Sequence, residues 1–268
     1  MRILASADLH VDLANGDAEW DMFRQFARSV ADASPDVFVL AGDLVGLGKQ
    51  FIPEGLGLFD RVSGVKLIVP GNHDLWLKEG DSYAFYKNEL GELYAKHGFH
   101  MLDRAPVVMG DVAIVGNMGW YDYSLADRSL TKIPVEYYSS KRWPKRVAWN
   151  DGKYVRLGRS DADFNQELVN QLRDDLSSLP ANVKTVVVVT HHIGFQELVP
   201  HTPEDEARMF CNAFLGSVAL GEVTAADERV RYHISGHTHH KKRVTKGHVE
   251  AITVGSTYEE KRLVALDL

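Results

Sequence analysis

Arg2-Ile3-Leu4-Ala5-Ser6-Ala7-Asp8-Leu9-His10 opens the chain, and its reading decides the fold. A short apolar run stops on a carboxylate and an imidazole two residues apart. The same design recurs four times. Val37-Phe38-Val39-Leu40 leads to Gly42-Asp43, and Leu67-Ile68-Val69-Pro70 leads to Gly71-Asn72-His73-Asp74. Val186-Val187-Val188-Val189 leads to His191-His192, and residues 231–235 lead to Gly236-His237-Thr238-His239. The unbroken valine run predicts a strand buried on both faces. Working outward, β-branched runs predict strands over 2–7, 36–41, 66–70, 112–116, 184–190, 231–235, 248–254 and 263–268.

Helices are expected between several of these strands. Trp20, Phe23, Phe26, Ala27 and Val30 share one face of a helix over 18–33. Tyr83, Tyr86, Leu90, Leu93 and Tyr94 do so over 82–97. Asp163 is expected to cap a helix over 164–176, with Gln166 as its capping-box partner. Thr202-Pro203-Glu204-Asp205 reads as a helix start, with Phe210, Phe214, Leu215 and Val218 as the buried stripe. The early alternation and the strand-rich later part predict an α/β sandwich, helices outside and sheets inside. Residues 117–160, rich in Trp, Tyr, Lys and Arg, break the alternation. They are expected to form a cap or insertion over the site, within one domain spanning 1–268.

Composition narrows the function classes. A net charge of −7 gives an overall field that does not attract nucleic acid. Cys211 is the only cysteine, so neither an internal disulfide nor a cysteine-based zinc site can form. No apolar run approaches the ~18 residues of a membrane span, and no charged-then-apolar leader opens the chain. A cytoplasmic location without membrane contact is the expectation. Nothing in the sequence speaks to oligomeric state.

Asp, Asn and His are the oxygen and nitrogen donors of hard and borderline divalent metals. Taken alone, Gly42-Asp43 reads as a turn and His237-Thr238-His239 as a histidine-rich loop. Together the five clusters hold more donors than one ion can use, and each lies where a strand is expected to end. Strand carboxyl ends are where sites assemble in open α/β sheets. This pattern predicts a two-metal hydrolytic site, of which phosphate esters are a usual substrate. The residues themselves do not choose between His191 and His192 as the ligand.

The order Asp-x-His, Gly-Asp-x-x-Gly, Gly-Asn-His-Asp, His and Gly-His-x-His, running from Asp8 to His239, resembles the calcineurin-like metallophosphoesterase superfamily. The resemblance implies a four-layer αββα sandwich of two mixed β-sheets flanked by helices. Carried over by motif, Asp8, His10, Asp43 and His239 hold one metal. Asp43, Asn72, His191 and His237 hold the other, with Asp43 bridging. The family's histidine is matched to His191, where Ile193-Gly194 replaces the Pro that often follows, so His192 lies behind the ligands or touches substrate.

The implied chemistry is attack on phosphorus by a metal-activated hydroxide, with His73 as general acid and Asp74 orienting its ring. A donor set of carboxylate, amide and imidazole suits two divalent ions, Mn²⁺ first and Fe, Zn²⁺ or Ni²⁺ as alternatives. Lys141, Arg142, Lys145, Arg146, Lys153, Arg156 and Arg159 share the span 141–159 with Trp143 and Trp149, and with Asp151 as its single acid. A basic, aromatic segment of this kind suits an anionic, base-containing substrate. The expected partner is therefore a small phosphorylated molecule, a phosphodiester or nucleotide, with Arg142, Arg146, Trp120 and Tyr121 beside it. A DNA or RNA nuclease and a phosphomonoesterase are the alternatives. More remote is a non-catalytic scaffold like the family's retromer subunit, in which the metal clusters would be eroded.

Overall fold

The computed structural model describes residues 1–14, 16–130 and 132–268. Its strands in chain order are β1 (Arg2–Ser6), β2 (Val37–Ala41), β3 (Val65–Val69), β4 (Phe99–Met101), β5 (Val107–Met109), β6 (Val112–Asn117), β7 (Arg142–Trp143), β8 (Val147–Ala148), β9 (Thr185–Thr190), β10 (Val230–Ser235), β11 (Lys242–Lys246), β12 (Val249–Thr253) and β13 (Val264–Asp267). One sheet runs β13-β1-β2-β3-β4, the second β11-β12-β10-β9-β6-β5. β1 to β4 are mutually parallel, as are β6, β9, β10 and β12. β13, β5 and β11 are antiparallel additions at three edges.

Three apolar clusters define the layers. Ile3, Ala5, Val37, Val39, Val187, Val189 and Ile234 meet between the sheets. The alternate residues Leu4, Phe38, Leu40 and Ile68 face outward against Phe23, Ala27 and Val30 of the helix Asp17–Asp32. On the far side Val186 and Val188 pack on Val169, Leu172 and Leu176 of the helix Asp161–Ser178. The molecule is thus the expected αββα sandwich, and the valine run is buried on both faces because each face has its own layer.

Some boundaries differ from expectation. Ser160, not Asp163, caps its helix: the Ser160 hydroxyl accepts from the Asp163 amide at 3.1 Å. Starting three residues earlier buries Asp161, which accepts from Trp120 Nε1 at 2.9 Å and pairs with Lys141 at 2.5 Å. The start expected at Thr202 falls instead at Asp205, whose carboxylate accepts from the Arg208 amide, and that helix covers only Glu206–Cys211. The stripe Phe210, Phe214, Leu215 and Val218 therefore spans three pieces, the last a new helix Val218–Ala226 capped by Ser217. The helix over 82–97 carries a wide π-type turn at Tyr86–Leu90, between Ser82–Phe85 and Gly91–Ala95. Five strands were not expected: β4, β5, the two-residue pair β7 and β8, and β11. β4 and β5 have only three residues each, and the edge strand β11 shows its charged residues Lys242, Arg243 and Lys246 to solvent, as edge strands often do.

Candidate metal centre

Asp8, Asp43, Asn72, His191 and His237 follow the carboxyl ends of β1, β2, β3, β9 and β10. The two sheets present these ends on the same side, so residues far apart in sequence meet. Three sets of ligand atoms lie within 4.8 Å of one another: Asp8, His10 and His239; His10, Asp43 and His73; and Asp43, His191 and His237. Asn72 Oδ1 is 3.1 Å from His191 Nε2, which is also 3.1 Å from His237 Nδ1. Asp43 stands in the middle, its Oδ2 3.7 Å from His10 Nε2 and 3.3 Å from His191 Nε2.

The loops reach this arrangement through strained backbone. Nine non-glycine residues among those described have positive φ, and five of them are Asp8 (57°), His10 (48°), Asp43 (55°), His237 (68°) and His239 (51°). Left-handed residues of this kind cost energy and persist where surrounding bonds over-determine them. Here those bonds are explicit. The β1–β2 ladder continues past the strands, with the Asp8, His10 and Val11 amides donating to the Gly42, Asp43 and Leu44 carbonyls at 2.9–3.1 Å. The His237 amide donates to Asp8 Oδ1 at 2.9 Å. The Asp-x-His and His-x-His pairs are therefore not extended chain. His237 and His239 diverge, one toward His191 and the other toward Asp8 and His10.

Two glycines are required by close approach. Gly42 has φ +88°, and a Cβ on it would overlap the His191 ring; a Cβ on Gly71 would overlap Asp43 Oδ1. Gly71→Ala must therefore push Asp43 away from its neighbours. The expected result is about 10- to 100-fold weaker Mn²⁺ binding with an unchanged far-ultraviolet circular dichroism spectrum, measured by titration. Wild-type affinity in that variant would contradict the packing described.

The electrostatics fit cation binding. Burial holds the His10 and His237 imidazoles well below their ordinary pKa, so both are neutral and free to ligate. Burial pushes the Asp43 carboxyl up, but His191, His73 and His10 together outweigh it and hold the acid well below the usual carboxylate range. Burial also pulls on the His191 imidazolium, yet Asp43 and Asp8 hold it up at about 9. The space between Asp43, Asn72 and His237 thus favours positive charge. Asp8 Oδ2, Asp43 Oδ2, both His10 ring nitrogens and His239 Nδ1 are buried without a hydrogen-bond partner. Unpaired buried donors and acceptors are costly, and two divalent cations would satisfy the carboxylate oxygens Asp8 Oδ2 and Asp43 Oδ2 and the His10 Nε2 that faces Asp43. The residues present fit the group.

His73 sits at the rim. Its Nδ1 is 3.2 Å from the Gly46 carbonyl and its ring stacks on Trp76 at 3.6 Å. Asp74 does not orient it. The Asp74 carboxylate turns inward and accepts from the amides of Gly71, Asp43 and Val45 at 2.8, 3.0 and 3.2 Å, tying the β2 and β3 loops together. It can do so because the three amides point to one spot beneath the turn, while His73 faces out.

His192 lies behind the ligands. Its ring is 4.4 Å from that of His237, Nδ1 is 3.3 Å from the Met118 carbonyl, and burial pushes its pKa down to about 3. Trp120 and Tyr121 are fully buried against it, at 5.0 and 5.6 Å between rings, so neither forms an open pocket wall. Arg142 is exposed on the small β7–β8 hairpin, and Arg146 faces Glu206 and Trp143. Other basic residues of this span are also engaged: Lys141 with Asp161, Arg159 with Glu167, and Arg156 with the Leu77 and Lys78 carbonyls. Its single acid is not surface relief. Asp151 is buried, and it accepts from Asn72, Trp76, Tyr121 and Trp149. Sequence reasoning missed this residue, and also Tyr258, whose ring lies 5.2 Å from His10 and 5.0 Å from His239. A lone acid in a basic aromatic run was the available signal for Asp151; Tyr258 had none.

A family model described as calcineurin-like phosphoesterase matches residues 1–241. No curated protein matches the chain in sequence. Among solved structures, a phosphopantetheinyl hydrolase from Mycobacterium tuberculosis is similar with a TM-score of 0.74 at 18% identity, over 98% of this chain and 95% of that one. A dimetal phosphatase from Danio rerio gives 0.59 at 14% identity, over 98% and 91%. These likenesses show the same fold.

Proposed function

We propose, for a chain that belongs to the calcineurin-like phosphoesterase family, that it is a dinuclear metal-dependent hydrolase of small phosphate esters, with a phosphodiester or nucleotide-type substrate. The observation that carries the reading is Asp43 Oδ2, buried without a hydrogen-bond partner and set between His10 Nε2 at 3.7 Å and His191 Nε2 at 3.3 Å. One carboxylate oxygen shared by two imidazole sets suits a bridge between two cations. Asp8, His10 and His239 complete one side; Asn72, His191 and His237 complete the other. Bound there, two divalent ions polarise phosphoryl oxygens and supply a nucleophile from water near neutral pH. Mn²⁺ is the first candidate, with Fe, Zn²⁺ and Ni²⁺ behind it.

The chain's own groups do the rest. His73 keeps Nδ1–H on the Gly46 carbonyl, so Nε2 is the atom that hands a proton to the leaving alkoxide. Beside His10 a crevice of about 120 Å³ is lined by Leu13, Met22, Phe23, Tyr258 and Lys261. Leu13 and Tyr258 are 48% and 58% exposed and offer apolar surface at its mouth. At about 120 Å³ the crevice is smaller than the roughly 150 Å³ cavity that holds a benzene ring, so it suits a short alkyl or other small part of the ester. Lys141, Arg146 and Arg159 are paired with carboxylates, which lowers the positive charge that the span 141–159 offers a long polyanion.

The test is a panel of phosphomonoesters, linear diesters, cyclic nucleotides and oligonucleotides, assayed with Mn²⁺, Zn²⁺ and Ni²⁺. The expected result is metal-dependent turnover, fastest on small diesters or nucleotides and insensitive to moderate salt. Preference for oligonucleotides with a steep salt dependence would replace this reading with a nuclease; preference for monoesters, with a phosphatase. No hydrolysis with any metal would leave the scaffold reading.

A further inference from the structure

We infer that Asp151 is a positioning residue for the metal centre: it sets which end of the Asn72 amide faces the cations, and it fastens the 117–160 segment to the same group. The inference rests on the metal centre proposed above. Asn72 and Asp151 are 79 residues apart, both are buried, and Asn72 Nδ2 donates to Asp151 Oδ1 at 2.8 Å. An amide has a donor end and an acceptor end of nearly equal size. A carboxylate only accepts, so it selects the NH₂ end and leaves Oδ1 toward His191 Nε2, 3.1 Å away. Only the oxygen end can ligate a cation.

The remaining bonds to Asp151 explain why the carboxylate stays in place. Trp76 Nε1 donates to Oδ1 at 2.6 Å; Tyr121 OH and Trp149 Nε1 donate to Oδ2 at 3.0 and 2.7 Å. Four donors fill the acceptor sites of one ionised carboxyl group. Each donor also touches the centre. Trp76 stacks on His73, Trp149 meets His237 edge-on at 5.7 Å, and Tyr121 packs on His192. Asp151 therefore joins the segment that carries it to both the metal ligands and the general acid. Asparagine at this position would aim an NH₂ group at two existing donors whichever way its amide turns, and would weaken the bias on the Asn72 amide.

The experiment is a direct Mn²⁺ titration of the whole chain, with no substrate present, on wild type, Asp151→Asn, Asn72→Ala and the double variant. Asp161→Asn serves as a control, since Asp161 bonds Trp120, Tyr123 and Lys141 in the same region without touching a ligand. The expected result is that Asp151→Asn weakens binding of one of two ions by about 10- to 100-fold. Asp161→Asn should lower the melting temperature yet keep Mn²⁺ affinity. In the Asn72→Ala background, Asp151→Asn should cost little more, because the two act as one unit. Losses that simply add, or an equal loss in Asp161→Asn, would reduce Asp151 to general support and overturn the inference. Unchanged Mn²⁺ affinity in Asp151→Asn would also overturn it. Wild type that fails to bind two ions would defeat the metal centre itself, an outcome distinct from the others.

Discussion

Asp43→Asn should abolish turnover. The substitution changes one oxygen to NH₂ and preserves shape. Asn Oδ1 can still accept from the His73 amide, as Asp43 does at 3.0 Å, so the loop is expected to fold. What disappears is the anionic Oδ2 between the His10 and His191 nitrogens. An NH₂ group there repels cations, and the His191 imidazolium loses the carboxylate that holds its pKa up. Charge stabilisation by a metal ion is worth several kcal/mol in the transition state. At about 1.4 kcal/mol per tenfold in rate, losing a shared ligand predicts a fall of roughly 10³-fold or more. Metal analysis after Mn²⁺ reconstitution should find fewer than two ions per chain, with circular dichroism unchanged. A variant retaining two ions and turnover within tenfold of wild type would show that Asp43 does not bridge.

The layers and the centre were readable in the sequence for the same reason. Valine and leucine runs mark buried parallel strands, and such strands place their carboxyl ends together, so the polar residue after each run is constrained to one edge. Asp8, Asp43, Asn72, His191 and His237 all follow that logic, although each is local in sequence and their meeting is not. The side-chain directions were less legible. The two-residue spacing of Asp8 and His10, and of His237 and His239, does not reveal their left-handed backbone, which depends on bonds from other loops, such as Asp8 to the His237 amide. Asp74 was assigned to its neighbour His73, but three converging amides claim it. Tyr258 and Asp151 reach the centre from segments with no metal-like pattern; Asp151 stands out only as a lone acid in a basic aromatic run, and Tyr258 is revealed by tertiary packing alone. The basic residues at 141–159 were read as a substrate surface; Asp161, Glu167 and Glu206 lie outside that span and engage several of them.

His73→Ala should separate metal binding from proton transfer. One geometric ambiguity makes this variant informative, because a His73 nitrogen lies within 4.8 Å of ligand atoms of His10 and Asp43 and is itself a conceivable ligand. The surroundings argue for the proton donor. His73 Nδ1 is committed to the Gly46 carbonyl, the ring is clamped on Trp76, and the side chain is only part-buried, where an arriving ester can reach Nε2. A positioned general acid contributes about 10²–10⁴-fold, and it matters most when the leaving group is a poor one. The expected result is therefore a fall of about 10²–10⁴-fold on alkyl esters and a much smaller one on nitrophenyl esters, whose anion leaves without a proton. Two Mn²⁺ ions should remain bound. Loss of an ion would make His73 a ligand. An equal fall across all leaving groups would remove the acid role, because a missing proton donor must show itself in the slope of rate against leaving-group pKa.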